Sequence, residues 1–258
     1  MPVLLGQTLK SLAAAGFDNV RLFIDGMKAK DWAERAPEWG MDHLSVTLRE
    51  PPVLRCAGNW ICTLYELFMR NPERDLFAVF QDDIVLARNV RQYLDRCKYP
   101  DGPWAPNLGY QPGYWNLYSS PGNERFQLSD KGQGWHPSNQ RGLGALALVF
   151  SRQCAVTLLG SYYLAQRGNS ADRGWRAIDG GIVCALAHEK WIEYVHKPGL
   201  ADHRGTERTF DARKTATGRE TEFPVHQWED ERSMTFKGEG WDALELLAEP
   251  APTPTLIS

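Results

Sequence analysis

Residues 76–90 read LFAVFQDDIVLARNV. The apolar run LFAVF, residues 76–80, leads into Gln81, Asp82 and Asp83, and a second apolar run follows. A continuous apolar stretch of this length, bounded by polar residues, predicts a buried strand. Two adjacent carboxylates at its end repel one another and resist desolvation. In open parallel sheets, ligands bind beyond the carboxyl ends of the strands. A divalent cation there would relieve the repulsion, and Mg²⁺ or Mn²⁺ suits oxygen ligands that also bridge to phosphates. The competing interpretation is a helix N-cap with a solvated neighbour, since Val90, Tyr93, Leu94 and Cys97 mark a helix soon afterwards.

Outward from this stretch, strands and helices alternate. Leu5, Leu9 and Leu12 stand at helical spacing and Gly16 is placed to end that helix. RLFID, residues 21–25, reads as a strand stopped by the Asp25-Gly26 turn. Ile61, Leu64, Tyr65 and Phe68 mark another amphipathic helix, closed by Asn71-Pro72. The alternation predicts an α/β fold with a mainly parallel sheet flanked by helices. Residues 98–142 break the rhythm, being rich in Pro, Gly and aromatics, and a loop region this long is more often functional than idle. ALALVF, residues 145–150, returns to strand character, and residues 152–164 look helical. WRAIDGGIVCALAHE suggests a turn and a helix with Asp179 at or just before its start. WIEYVH then reads as a strand, followed by the polar loop KPGLADHRGTERT. The last fifty residues are mostly polar and end in PAPTPTLIS, a composition expected to be disordered over about the last ten.

Bulk properties narrow the function classes. The chain has 258 residues, 43% hydrophobic and 24% charged, with a formal net charge of −3. These are ordinary globular values, and they argue against a constitutive nucleic-acid or anionic-membrane surface. Ten Trp are present, several in Gly/Pro-rich segments, suited either to stacking on sugars and bases or to pinning loops on the core. The five Cys include no CxxC and read as reduced core thiols. With no secretory signal and no apolar run long enough to span a bilayer, a cytoplasmic protein is expected.

Three further positions carry possible chemistry. His203, in a polar loop after a strand, could supply a nitrogen ligand or simply be solvated. Asp25-Gly26 could accept hydrogen bonds from a ribose or base, or could be turn chemistry. Asp179, followed by Gly180-Gly181, could be a helix cap or a general base.

In order, FQDDIVLARN (80–89), RGLGALALVFSR (141–152), the Asp179 segment and HKPGLADHRGT (196–206) resemble the nucleotide-sugar glycosyltransferases of the GT-A fold. Within that fold the likeness is to the N-acetylglucosaminyltransferase IV branch and its bacterial relatives, over residues 5–206. The resemblance implies a catalytic domain at 1–206, with acceptor-side loops at 98–142 and a C-terminal extension at 207–258 packing on it. It implies Asp83 and His203 as ligands of Mn²⁺ or Mg²⁺, and Asp82 on the ribose or a metal-bound water. Asp25, Gly26, Asn59 and Trp60 would help hold a nucleotide-diphosphate sugar, uridine being the family's commonest base. Asp179 would deprotonate the acceptor hydroxyl, so a single base implies inversion at the anomeric carbon. Gly142 to Ala145, with Gly144, would leave room for donor and acceptor, and Trp135, His136 and Arg141 would form the rim. The acceptor could be a glycan, a protein or a modified nucleobase.

Two features depart from that family. Gln81 stands where relatives usually carry an acidic residue, and the fold's first strand, with its Arg-bearing loop, is apparently missing or replaced. Two other function classes stay open. One is metal-dependent nucleotidyl transfer, without the GxxxxGK[ST] loop. The other is a non-catalytic carbohydrate-binding or scaffold relative.

Overall fold

The computed structural model describes residues 2–97, 112–142, 144–164, 178–204 and 232–247. The expectations for the rest of 98–142, for 205–231 and for the C-terminal end lie outside the described residues.

The fold is mixed α/β. It opens with α1 (Pro2–Ala14), β1 (Arg21–Asp25), α2 (Ala29–Arg35), β2 (Ser45–Arg49) and α3 (Arg55–Arg70). Then come β3 (Leu76–Phe80), β4 (Ile84–Leu86), α4 (Val90–Arg96), β5 (Gly113–Asn116), α5 (Pro121–Phe126) and β6 (Gly134–Pro137). After these follow β7 (Ala147–Ser151), α6 (Arg152–Leu159), α7 (Ile178–His188), β8 (Ile192–Lys197) and β9 (Ala201–His203). A 3₁₀ turn at Ala243–Leu247 ends the described chain.

The central sheet has the order β3-β7-β5-β8-β6. Here the expectation of a mainly parallel sheet needs correction. β5 and β8 pair in parallel, whereas β7 is antiparallel to both β3 and β5, and β6 is antiparallel to β8. β3, β5 and β8 therefore run one way while β7 and β6 run against them. Apolar periodicity reports that a segment is a strand but carries no direction, so the insertion of β7 was not readable. This direction has a consequence for the site. Phe80 pairs with Ala147, so the start of β7 lies beside the end of β3. β1 and β2 form a separate parallel pair, and β4 and β9 a separate antiparallel one.

Helical layers cover both faces of the sheet. Alternation along β7 sends Leu148 and Phe150 to one core and Ala147 and Val149 to the other. The first core adds Ala57, Trp60 and Leu64 of α3, Cys154 and Leu158 of α6 and Ile182 and Leu186 of α7. The second holds Leu12, Ile84, Leu86, Tyr93, Leu94, Trp115 and Trp135.

Two helix faces are rotated from their sequence expectation. In α1 the buried stripe is Thr8, Ser11 and Leu12, because the Thr8 hydroxyl donates to the carbonyls of Asp82 and Ile84 at 3.0 and 2.8 Å. In α3, Tyr65 is exposed and Trp60 takes its place inside. Gly16 ends the first helix as expected, with φ +90. No disulfide forms, but only Cys154 is a fully buried thiol, and Cys56 and Cys184 are exposed. Among the described residues no helix is long and apolar enough to cross a membrane.

Residues 232–247 pack back on the domain. The buried Glu124 carboxylate accepts hydrogen bonds from the Ser233 and Thr235 hydroxyls and from the Met234 and Thr235 N–H groups. Asn89 donates to Asp242 at 2.8 Å.

Candidate functional site

Strand pairing brings the acidic triplet and the late histidine together. β4 begins directly after Asp83, and its register places Ile84 opposite His203. The Arg204 N–H closes the ladder on the Asp83 carbonyl at 2.7 Å. Across this ribbon, His203 Nε2 lies 3.1 Å from Asp83 Oδ2, with side-chain exposures of 15% and 27%. The other carboxylate oxygen, Asp83 Oδ1, is buried and has no hydrogen-bond partner. A buried, unpartnered carboxylate oxygen beside an imidazole is costly unless a cation or water completes it. The donor set, one carboxylate oxygen and one imidazole nitrogen, fits Mn²⁺ or Mg²⁺ that takes its remaining ligands from phosphate and water. Among the described residues no cluster of three or more His, Cys, Asp or Glu suits a metal ion.

Asp82 projects beside this pair. Its surface is exposed although protein crowds its base, and partial burial followed by the charge of Asp83 raises its pKa. Gln81 ties the triplet to the next element: its N–H donates to Leu146 and its side-chain amide to the Ala145 carbonyl at 3.2 Å.

That link leads to Asp179, in the first turn of α7. Asp179 Oδ2 accepts the Gly144 N–H at 3.1 Å and Oδ1 accepts the Gly180 N–H at 2.9 Å. Gly142 and Gly144 both hold positive φ, +66 and +86. A Cβ at Gly142 would come within 2.6 Å of the Asp179 backbone, and one at Gly144 within 2.8 Å of the Tyr118 ring. The space left by these glycines is thus filled by the protein itself, rather than being open for a donor or acceptor sugar.

Cys56, at the start of α3, was read as a core thiol and belongs here instead. Although its surface is exposed, the protein packed around its base raises its pKa, and the charges of Asp179, Asp82 and Asp83 act in the same sense. The three aspartates thus act on one thiol in the same sense, and together with Cys56 they make up the acidic side of the site. A lone cysteine in a helical context carried no signal of this, because the convergence depends on tertiary placement.

The expected nucleotide side is built differently. Asp25 Oδ1 accepts the Leu54 N–H at 3.0 Å, just ahead of α3, and the Gly26 N–H donates to Arg49 at 2.7 Å. Asn59 is occupied within the fold: its Oδ1 accepts from Arg49, and its Nδ2 donates to the Phe23 carbonyl at 3.2 Å. Arg49 in turn pairs with Glu66 at 2.7 Å. Trp60 is 4% exposed and meets Phe150 edge-on at 5.8 Å, so it is a core residue.

Of the expected rim, Arg141 is exposed beside Gly142, and His136 bonds the Gly132 carbonyl at 2.9 Å. Trp135 is no rim residue. It stacks on Trp115 at 5.5 Å and meets the His196 ring at 4.8 Å, inside the second core. Arg204, which the sequence did not single out, adds a cation next to His203, shared between Asp202 and Glu239 at 3.9 and 3.4 Å.

Compared with known proteins, the chain matches no protein-family model and no curated protein sequence.

Proposed function

We propose that this chain is a metal-dependent glycosyltransferase of the GT-A type, moving a sugar from a nucleotide diphosphate to an acceptor hydroxyl with inversion. The observation that carries this is the Asp83–His203 pair with its unpartnered, buried Oδ1, joined through Gln81 to the loop that orients Asp179. Asp83 and His203 would hold Mn²⁺ or Mg²⁺, and Asp82, exposed beside them, would face the ribose. When bound, a divalent cation neutralises charge on a departing diphosphate. Asp179 is suited to accept the acceptor's proton, because the Gly144 and Gly180 N–H groups orient its carboxylate. Arg141, exposed beside Gly142, offers one cation, and Arg204 another beside His203. The donor is a nucleotide sugar, with a uridine diphosphate sugar the first to test, and the acceptor is a glycan, protein or nucleobase.

Release of nucleoside diphosphate across a panel of nucleotide sugars, with Mn²⁺ and with EDTA, tests this directly. Metal-dependent release supports it, and release of pyrophosphate instead would mean nucleotidyl transfer. A second reading is a carbohydrate-binding relative without turnover. It is favoured by the engagement of Asn59 and Trp60 within the fold, which removes them from a nucleotide pocket. Sugar binding without release of any nucleotide product would select it.

A further inference from the structure

The loop that carries Gly142 and Gly144 has an anchor that neither the motif nor the resemblance contains. Glu193 lies in β8 and is 3% exposed. Its Oε1 accepts from Asn116 Nδ2 at 3.2 Å and from the Tyr114 hydroxyl at 3.4 Å. The same Asn116 amide donates to the Gly144 carbonyl at 3.0 Å, and Asn116 is fully buried. Gly144 then turns its N–H onto Asp179. The path from Glu193 to the carboxylate of Asp179 is therefore three hydrogen bonds long and passes through a single backbone unit.

The backbone of Glu193 grips the preceding part of the same loop. The Gln140 side chain pairs with it twice, Nε2 donating to the Glu193 carbonyl at 2.8 Å and Oε1 accepting the Glu193 N–H at 2.9 Å. The Ser138 N–H donates to the same carbonyl at 2.9 Å. Gln140 adopts a positive φ of 55 to make this pairing. Such a conformation in a non-glycine residue costs energy and persists only where its surroundings impose it.

We propose that Glu193 and Asn116 form a buried brace that sets the Gly144 loop against Asp179, making both of them positioning residues for the base. This rests on the assignment of Asp179 as the base. Burial raises the carboxyl's pKa, the hydrogen bonds from Ser138, Asn116 and Tyr114 lower it, and the charge of Asp179 raises it. A glutamine amide oxygen can accept the same hydrogen bonds from Asn116 and Tyr114. Glutamine should therefore replace Glu193, and alanine should not.

The experiment combines turnover with amide hydrogen exchange on the full chain. In the wild type, the Gly144 N–H should exchange as slowly as the amides of β8. Glu193→Ala and Asn116→Ala should speed Gly144 exchange by about tenfold or more while the amides of β1 and β2 are unchanged. They should also lower kcat by about a hundredfold, the order expected for a misplaced catalytic group, with Mn²⁺-dependent donor affinity kept. Glu193→Gln should restore both. Should the alanine variants fail to fold, Gln140→Ala, which removes the side-chain pairing with Glu193 and the amide's hydrogen bonds to Ser138, should raise Gly144 exchange less but in the same sense. An unprotected Gly144 amide in the wild type, or wild-type exchange in every folded variant, would overturn the brace. Absence of turnover in the wild type would instead count against the proposed activity, and the exchange results would still decide on Glu193.

Discussion

Two polar regions flank the start of α3, and they treat their polar groups in opposite ways. On the acidic side, the charges of Asp179, Asp82 and Asp83 all raise the pKa of Cys56, and Asp83 keeps a buried oxygen unpartnered. In the β1–β2 region, Asn59 bonds Arg49 and Phe23, Arg49 bonds Glu66, and Asp25 bonds Leu54. Satisfied groups of the second kind stabilise a fold, whereas like charges and orphaned acceptors weaken it. A protein keeps the first arrangement when something other than stability depends on it. The residues of the acidic side should therefore report on activity, and those of the β1–β2 region on stability.

The largest effect expected is on the acidic side. Asp179→Asn should lower turnover by about 10²- to 10⁴-fold with donor binding intact, measured by single-turnover kinetics. Turnover near wild type would reduce Asp179 to a helix-end residue. On the other side, Trp60→Ala should cost about 3–5 kcal/mol of stability, and Asn59→Ala about 1–3 kcal/mol, in denaturant unfolding. If either instead abolished nucleotide binding at unchanged stability, the contrast between the regions would fail.

Acid sensitivity should come from neither region. His196 is held neutral between Tyr93 and the Pro198 carbonyl, and burial lowers its pKa from 6.5 to about 4. The unfolded chain takes up a proton that the folded chain refuses. Stability should therefore fall as pH drops from about 6.5 to about 4, by about 3 kcal/mol from this group, and level off below. Unfolding midpoints across that range should show the same slope in Asp83→Ala as in wild type, and a slope that vanished with Asp83 would place the titrating group on the acidic side. The smallest effect is that of His203→Ala, which should raise the Mn²⁺ needed for half-maximal activity by about tenfold or more. An unchanged requirement would make His203 a bystander.

How far these regions could be read in advance follows from what each signal encodes. The alternation of strands and helices, the helix end at Gly16 and the strand at 76–80 are local and were legible. Asp83 and His203 were legible as candidates because their residue types and order suit a cation, yet their meeting rests on the β4–β9 pairing, which no spacing reveals. Trp60 and Trp135 were misplaced because a tryptophan near glycines reads as a platform until Phe150 and Trp115 are known to face it. Asn59 fails for a related reason: its partners come from two strands that precede it. Glu193 was invisible, since a single carboxyl inside WIEYVH looks like the polar face of a strand.

Titration with Mn²⁺ followed by electron paramagnetic resonance, with and without uridine diphosphate, reaches the central claim most directly. The account predicts one tightly held Mn²⁺ per wild-type chain when the nucleotide is present, and none in a folded Asp83→Ala variant. Equal Mn²⁺ binding by wild type and variant, or none by either, would contradict the assignment of the Asp83–His203 pair as a metal site.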